Sequence, residues 1–242
     1  CPQTSVSPAE SMFERLLRLS GPHLLCRGCL APLGRGSEAG LCAACWSGLV
    51  PLPEPRCPRC ALSHPPEAAC PDPVEWSFGD ALWDYHGGRP ALGALLLPGI
   101  KAGERGWRSA LLERAAASAL PSFATEADLV TVVPAAPQRR WSRGFDLAEE
   151  VAFQVSRRLS LPFVRTLRKD WRVRRQAGKS ASDRRELPRK AVSLRGNADV
   201  RGRVVLLLDD VWTTGTTLLR CAQALRKGGA SEVRVLALFR AT

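Results

Sequence analysis

The stretch VVLLLDDVWTTGTTLLRCAQALRKGG, Val204 to Gly229, constrains this chain more than any other. Val204 to Leu208 is an unbroken apolar run ending in charged and turn residues, the pattern of a short strand buried on both faces. A helix is expected from about Thr216, and a further strand over 232–239. The same alternation precedes it. WSFGDALWDY (76–85) reads as a strand or hairpin arm, and GWRSALLERAAASALPS as a helix from Gly106 closed by Pro121. DLVTVVP (128–134) is a short apolar strand. The next helix has Asp146 as N-cap, with Leu147, Val151, Val155 and Leu159 as a stripe facing a sheet. Alternation of this kind specifies an α/β fold, a parallel sheet with flanking helices, and such sheets bind ligands beyond the carboxyl ends of their strands. Residues 134–143 and 209–217 should therefore share one edge.

Asp209 and Asp210 are costly at a buried strand end unless something polar pairs with them. The TTGTT turn that follows offers hydroxyls, backbone amides freed by a glycine, and a helix amino terminus, a combination suited to phosphate. It lacks the GxxxxGK[ST] pattern of a Walker loop. If the threonines merely capped the helix, Thr216 would be explained but the paired acids would not. A ligand carrying both a diol and a phosphate accounts for both. The arrangement resembles the signature of type I phosphoribosyltransferases, which bind phosphoribosyl pyrophosphate. That resemblance implies ribose contacts from Asp209 and Asp210 and a 5-phosphate site at Thr213, Thr214, Gly215, Thr216 and Thr217. Arg139, Arg140 and Arg143, after the strand at 128–134, are candidates for a pyrophosphate carried with Mg²⁺.

Eight of the nine cysteines precede residue 71. Cys26/Cys29, Cys42/Cys45 and Cys57/Cys60 are Cys-x2-Cys pairs, a spacing that grips one edge of a tetrahedral zinc. The first two pairs predict one zinc. The second half supplies Cys57, Cys60 and Cys70, but Pro73 stands where a last pair would place its second cysteine. His64 is then either the fourth ligand of a second zinc or an exposed loop histidine. Spacing leaves open whether pairs join sequentially or crossed, and a disulfide reading remains the alternative. A module of about 50 residues has too little core to fold alone, so metal should supply much of its folding free energy.

The formal charge of +12 is unevenly spread: Arg165 to Lys190 holds eleven Lys and Arg against three acids. RRQAGKSASDRRE within it reads as a mobile lid. A polyanion partner is one reading and a solvated loop the other. On the first, Arg174, Arg175, Lys179, Arg184 and Arg185 are candidate contacts to single-stranded DNA, with Trp141 and Trp171 as stacking faces; on the second, Trp141 packs locally. Arg27, Arg56 and Arg59, beside the cysteines, permit a nucleic-acid role without demanding one. No segment approaches the roughly 20 apolar residues of a membrane span, and no secretory h-region opens the chain. The expected location is cytoplasmic. Residues 1–11 read as an extension ahead of a start at Met12; Cys1 as a nucleophile or lipid anchor is a minor alternative.

The cysteine pairs, LPGIKAGERG around Lys101, VVPAAPQRRWSRGFDLAEEVA, the stretch from Gln176 to Arg185 and VLLLDDVWTTGTTL together resemble the ComF family of competence proteins. The resemblance runs from about residue 13 to the end. It implies a type I phosphoribosyltransferase-like domain (76–242) after a zinc ribbon module (21–75) and a short N-terminal helix and extension (1–20). It also implies a part in natural transformation, handling incoming single-stranded DNA beside the uptake machinery at the membrane, with a competence helicase or DNA-protection protein as partner. Three departures bear on the lid and the second metal: Asp146 replaces a usual Asn, Arg184-Arg185 is followed by Glu186 rather than Asn, and the last ribbon cysteine is missing. The same pocket fits a Mg-dependent phosphoribosyltransferase with an unspecified acceptor. No glutaminase-like segment is read after Cys1, so a complete glutamine amidotransferase is not expected, and a transcriptional regulator is disfavoured by the lack of a helix-turn-helix.

Overall fold

The computed structural model describes residues 25–71, 74–135, 144–169 and 192–241. Outside these lie the extension 1–20 with Cys1 and Met12, Pro73, Arg139, Arg140, Trp141, Arg143, Trp171, Arg174, Arg175, Lys179, Arg184 and Arg185. In chain order the elements are α1 (Ala43–Trp46), β1 (Phe78–Asp84), α2 (Leu92–Lys101), α3 (Arg105–Ala117), a 3-10 turn (Ser122–Glu126), β2 (Leu129–Val132), α4 (Leu147–Leu159), β3 (Leu167–Lys169), β4 (Val192–Leu194), β5 (Val204–Trp212), α5 (Thr216–Lys227) and β6 (Glu232–Arg240).

Four strands form one sheet in the order β1-β6-β5-β2, every neighbouring pair parallel. Apolar side chains alternate between its two faces, as the period of a strand requires. Leu206, Leu208, Leu236 and Leu238 join Leu96, Ile100, Leu111, Val151 and Val155 from α2, α3 and α4. Val205, Leu207, Val233 and Val235 turn the other way, onto Leu218, Ala222 and Leu225 of α5 and onto the small antiparallel β3–β4 pair. The expected α4 is present: the Asp146 side chain accepts from the Glu149 backbone N–H at 3.4 Å, and Glu149 and Glu150 in the first turn face Arg157 and Arg158 in the last, as the helix dipole favours.

Two of the elements that depart from the sequence reading bear on the site. Strand β5 runs through Trp212 rather than stopping at Leu208, because β6 continues to pair with it, Asp209 opposite Ala237 and Trp212 opposite Arg240. Both acids therefore belong to the strand. Helix α2 has no counterpart in the sequence reading, which assigns no element to residues 92–101. Burial of Leu92, Leu96, Leu97 and Ile100 holds it as a helix, and Gly99 is required there, because a Cβ would lie 2.3 Å from the Trp107 ring. No helix among the described residues is long and apolar enough to cross a membrane.

Both cores extend into the cysteine-rich segment. Cys26, Leu41, Cys45 and Trp46 complete the first, while Leu52, Cys60 and Ala61 complete the second.

Candidate functional site

Parallel pairing of β2 with β5 brings Val132 level with Leu208, and the Val133 N–H donates to the Leu208 carbonyl at 2.9 Å. The backbone at Pro134 and the strand residues Asp209 and Asp210 consequently lie at one carboxyl-terminal edge of the sheet, as expected for 134–135; residues 136–143 lie outside the described residues. After Trp212 the chain turns through Thr213 and Thr214 to Gly215, whose φ of +70° is a conformation a side chain rarely adopts. Gly215 is the N-cap of α5, with no side-chain cap bond and no acid in the first turn. The threonines thus do not serve as the cap. The helix amides point toward the turn, where Thr214 and Thr216 hydroxyls lie 3.0 Å apart. Fixed donors at the positive end of a 12-residue helix suit a phosphate group.

Asp209 and Asp210 stand beside this loop. The Asp210 N–H donates to Asp209 Oδ1 at 2.9 Å. Burial pushes the Asp209 carboxyl well above the usual carboxylate range, and the Asp210 charge adds to the rise; the Asp210 N–H and the Lys101 ammonium oppose it. Lys101, in the last turn of α2, places its Nζ 2.6 Å from Asp210 Oδ2, with both side chains mostly buried. One acid is thereby neutralised, while acceptor lone pairs remain for hydroxyl groups.

Two groups of ligating side chains lie in the cysteine-rich segment: Cys26, Cys29, Cys42 and Cys45, and Cys57, Cys60, His64 and Cys70. Within each, the ligand atoms lie within 4.8 Å of one another. The pairs join sequentially, not crossed. Sulfur separations of 3.5 Å (Cys26–Cys45), 3.7 Å (Cys29–Cys42) and 3.8 Å (Cys57–Cys70) match the edge of about 3.8 Å that zinc–thiolate bonds of about 2.3 Å give a tetrahedron. His64 Nε2 is 3.2 Å from Cys60 Sγ, and its Nδ1 is 2.9 Å from the Pro65 carbonyl, the outer contact that orients a ligating imidazole. His64 rather than Pro73 thus completes the second group.

The two turns are built alike. Cys26 N–H donates to Ala31 and Leu30 N–H to Cys26; Cys57 N–H donates to Leu62 and Ala61 N–H to Cys57, with Leu30 and Ala61 both at positive φ. Burial works against ionisation of the Cys26 and Cys57 thiols, but donated backbone N–H groups draw them down to about 6 and about 7. Burial raises Cys60 to about 12. A divalent cation would let all of these ionise together. Both groups could hold zinc.

The arginines beside the cysteines are engaged within the protein. Arg27 pairs with Glu104 at 2.8 Å and lies over Trp107; Arg56 bonds both oxygens of Asp80, and Arg59 donates to the Val74 carbonyl. Of the seven tryptophans, Trp46, Trp76, Trp83, Trp107 and Trp212 are core residues. Two participants escaped the sequence reading, Lys101 as an acid partner and Arg240 beneath the turn. The available signal was the same for both, a lone cation closing an apolar run.

The family model for the phosphoribosyl transferase domain matches residues 141–242. Competence protein F of Haemophilus influenzae is 38% identical over 118 residues, 47% of this chain and 51% of that protein. DNA utilization protein YhgH of Escherichia coli O157:H7 is 30% identical over 227 residues, 89% of this chain and 96% of that protein. Among solved structures, the glutamine phosphoribosylpyrophosphate amidotransferase of B. subtilis is 28% identical with a TM-score of 0.38, covering 54% of this chain and 26% of that one. With a parallel sheet behind its acids, paired cysteine clusters ahead of it and similarity along nearly the whole length of one curated relative, the chain belongs to the ComF family of competence proteins.

Proposed function

We propose that this protein acts in natural transformation by handling incoming single-stranded DNA in the cytoplasm, and that it does so with phosphoribosyl pyrophosphate held at the edge of the sheet. The observation that carries the ligand half is the junction of β5 and α5, where two acids precede an uncapped helix amino terminus across a left-handed glycine. Asp209 and Asp210 accept from the ribose hydroxyls; Thr213, Thr214, Gly215, Thr216 and Thr217 bind the 5-phosphate. Arg139, Arg140 and Arg143 take the pyrophosphate, for which Mg²⁺ supplies charge neutralisation when bound. Support for the DNA half is the printed names of the relatives, a competence protein and a DNA utilization protein, together with the basic stretch of residues 165–190. A helicase or DNA-protection partner at the uptake machinery belongs to the same reading.

Titration calorimetry with phosphoribosyl pyrophosphate and Mg²⁺ tests the pocket, and wild-type protein that takes up no ligand would refute it. Single-strand affinity measured from 50 to 200 mM salt tests the partner. Neutralising Arg174, Arg175, Arg184 and Arg185 together should lower both the affinity and the salt slope, by about one unit of slope for each phosphate that is no longer neutralised; an unchanged affinity refutes the DNA contact. Steady pyrophosphate release with an added amine or base would mark a Mg-dependent transferase instead.

A further inference from the structure

Arg240 closes β6 and is 1% exposed. Its Nε donates to the Cys60 carbonyl at 3.2 Å, inside the second cysteine group. Its Nη1 donates to the carbonyls of Trp212 at 3.0 Å, of Thr213, and of Ala241 at 2.8 Å. One guanidinium therefore joins the metal-ligating turn to the first residues of the phosphate loop. The fork of donors on a planar cation can do this, whereas the point charge of a lysine cannot.

The packing around it runs along the same line. Arg240 lies over the Trp212 ring at 4.6 Å, and Trp212 meets Trp76 edge-on at 5.3 Å. Trp76 Nε1 donates to the Arg59 carbonyl at 2.7 Å, and Gly79 N–H to Pro58 at 2.8 Å, so both residues between Cys57 and Cys60 are tied to this wall. The turn presses directly on β1, where a Cβ at Gly79 would sit 2.6 Å from the Arg59 carbonyl. Above the wall, a Cβ at Gly215 would lie 3.0 Å from Trp212 Nε1, which is buried without a hydrogen-bond acceptor among the described residues. The phosphate loop thus rests on Trp212, Trp212 on Arg240, and Arg240 on Cys60. Among the described residues the first cysteine group makes no such link; it packs against α3, where Trp107 Nε1 donates to the Ala39 carbonyl at 2.8 Å.

We infer that Arg240 is a positioning residue that fastens the 212–215 loop to the second cysteine group, so that metal in that group and phosphoribosyl pyrophosphate in the pocket favour one another. Residues 53–71 are mostly exposed, and apolar packing holds the turn chiefly through Cys60 and Ala61. Without metal it shifts, the Cys60 carbonyl leaves Arg240, and the wall beneath the loop loses one side. Linkage makes the effect reciprocal: bound sugar phosphate raises the affinity for that metal by the factor by which the metal strengthens the sugar phosphate. The ligand half rests on the pocket proposed above, whereas the fastening does not.

The test uses the full chain loaded with zinc, and reads hydrogen exchange of the segment spanning 209–219. His64→Ala, which releases the second metal without cutting a core side chain, and Arg240→Met, which keeps both metals, should each raise exchange there about tenfold. Cys29→Ser, which empties only the first group, should not. Calorimetry should then show affinity for phosphoribosyl pyrophosphate falling about tenfold in the first two variants. Zinc affinity measured by equilibrium competition with a chelator should be raised by that ligand in wild type but not in Arg240→Met. If Arg240→Met does not fold, His64→Ala and Arg240→Lys carry the test. Unchanged exchange in His64→Ala, or equal loosening in Cys29→Ser, overturns the fastening. Wild-type protein that binds no ligand yet loosens in His64→Ala overturns the proposed pocket and leaves the fastening standing.

Discussion

Replacing Asp209 by Asn should make the protein more stable at neutral pH and, on the pocket proposed above, abolish binding of phosphoribosyl pyrophosphate. The amide keeps the shape of the carboxylate, and its oxygen can still accept from the Asp210 N–H, now at 2.9 Å. What disappears is a buried charge beside a second acid, which Lys101 offsets only in part. Functional groups held at such cost typically release about 1–2 kcal/mol when neutralised. For a chain of this size that corresponds to a rise of about 2–8 °C in Tm. The pH dependence follows from the direction of the shift. Unfolded aspartate titrates near 3.9, and the native group higher, so between the two values the native state holds a proton the unfolded state has lost. Wild-type stability then falls as pH rises through that window and stays lower above it. Asn does not titrate, and the advantage of the variant should grow with pH to a plateau. Scanning calorimetry of zinc-loaded wild type and Asp209→Asn from pH 5 to 8 measures the difference directly. A variant that melts below wild type at pH 8, or by a margin independent of pH, would refute the reasoning.

Lys101→Met leaves Asp210 without its ammonium partner and lets the Asp209 carboxyl rise further; affinity for phosphoribosyl pyrophosphate should fall about tenfold, with the loss greater at pH 6 than at pH 8 by calorimetry. Gly215→Ala forces a side chain to φ +70° and against Trp212 Nε1, so urea unfolding should report a cost of about 1–2 kcal/mol and phosphate affinity should drop with it. Elemental analysis should find two zinc ions per chain. Their removal by a strong chelator should cost about 4 kcal/mol for each ion at free zinc a thousandfold above its dissociation constant, read as a fall in Tm that added zinc restores. A Cys45→Ala variant should retain a single zinc and loosen the helix over 105–117, since Cys45 shares its core.

Local pattern carried most of the elements. A 3.6-residue stripe led to Leu147–Leu159, and continuous apolar runs to the strands at 129 and 204, because both-sided burial in a parallel sheet demands them. The cysteine spacing located the metal ligands for a similar reason: a Cys-x2-Cys turn sets two sulfurs together without help from elsewhere. Helix α2 could not be read this way, since burial of four large side chains overrides its Gly and Pro. His64 was readable only as a candidate, because its ring is aimed by a carbonyl and a thiol rather than by spacing.

What the sequence determined by itself is the chemistry kept within one turn of chain: two acids, a glycine in a threonine turn, a helix start, and sulfur pairs two residues apart. Only the tertiary structure decided the partners that meet from afar. Lys101 meets Asp210 across 109 positions, and Arg240 meets Cys60 across 180. A side chain at the end of an apolar run looks the same in sequence whether it faces water or a carbonyl from another segment. Its role is set by which strand ends the parallel sheet places side by side, and by burial that leaves a cation no alternative but the acceptors gathered there.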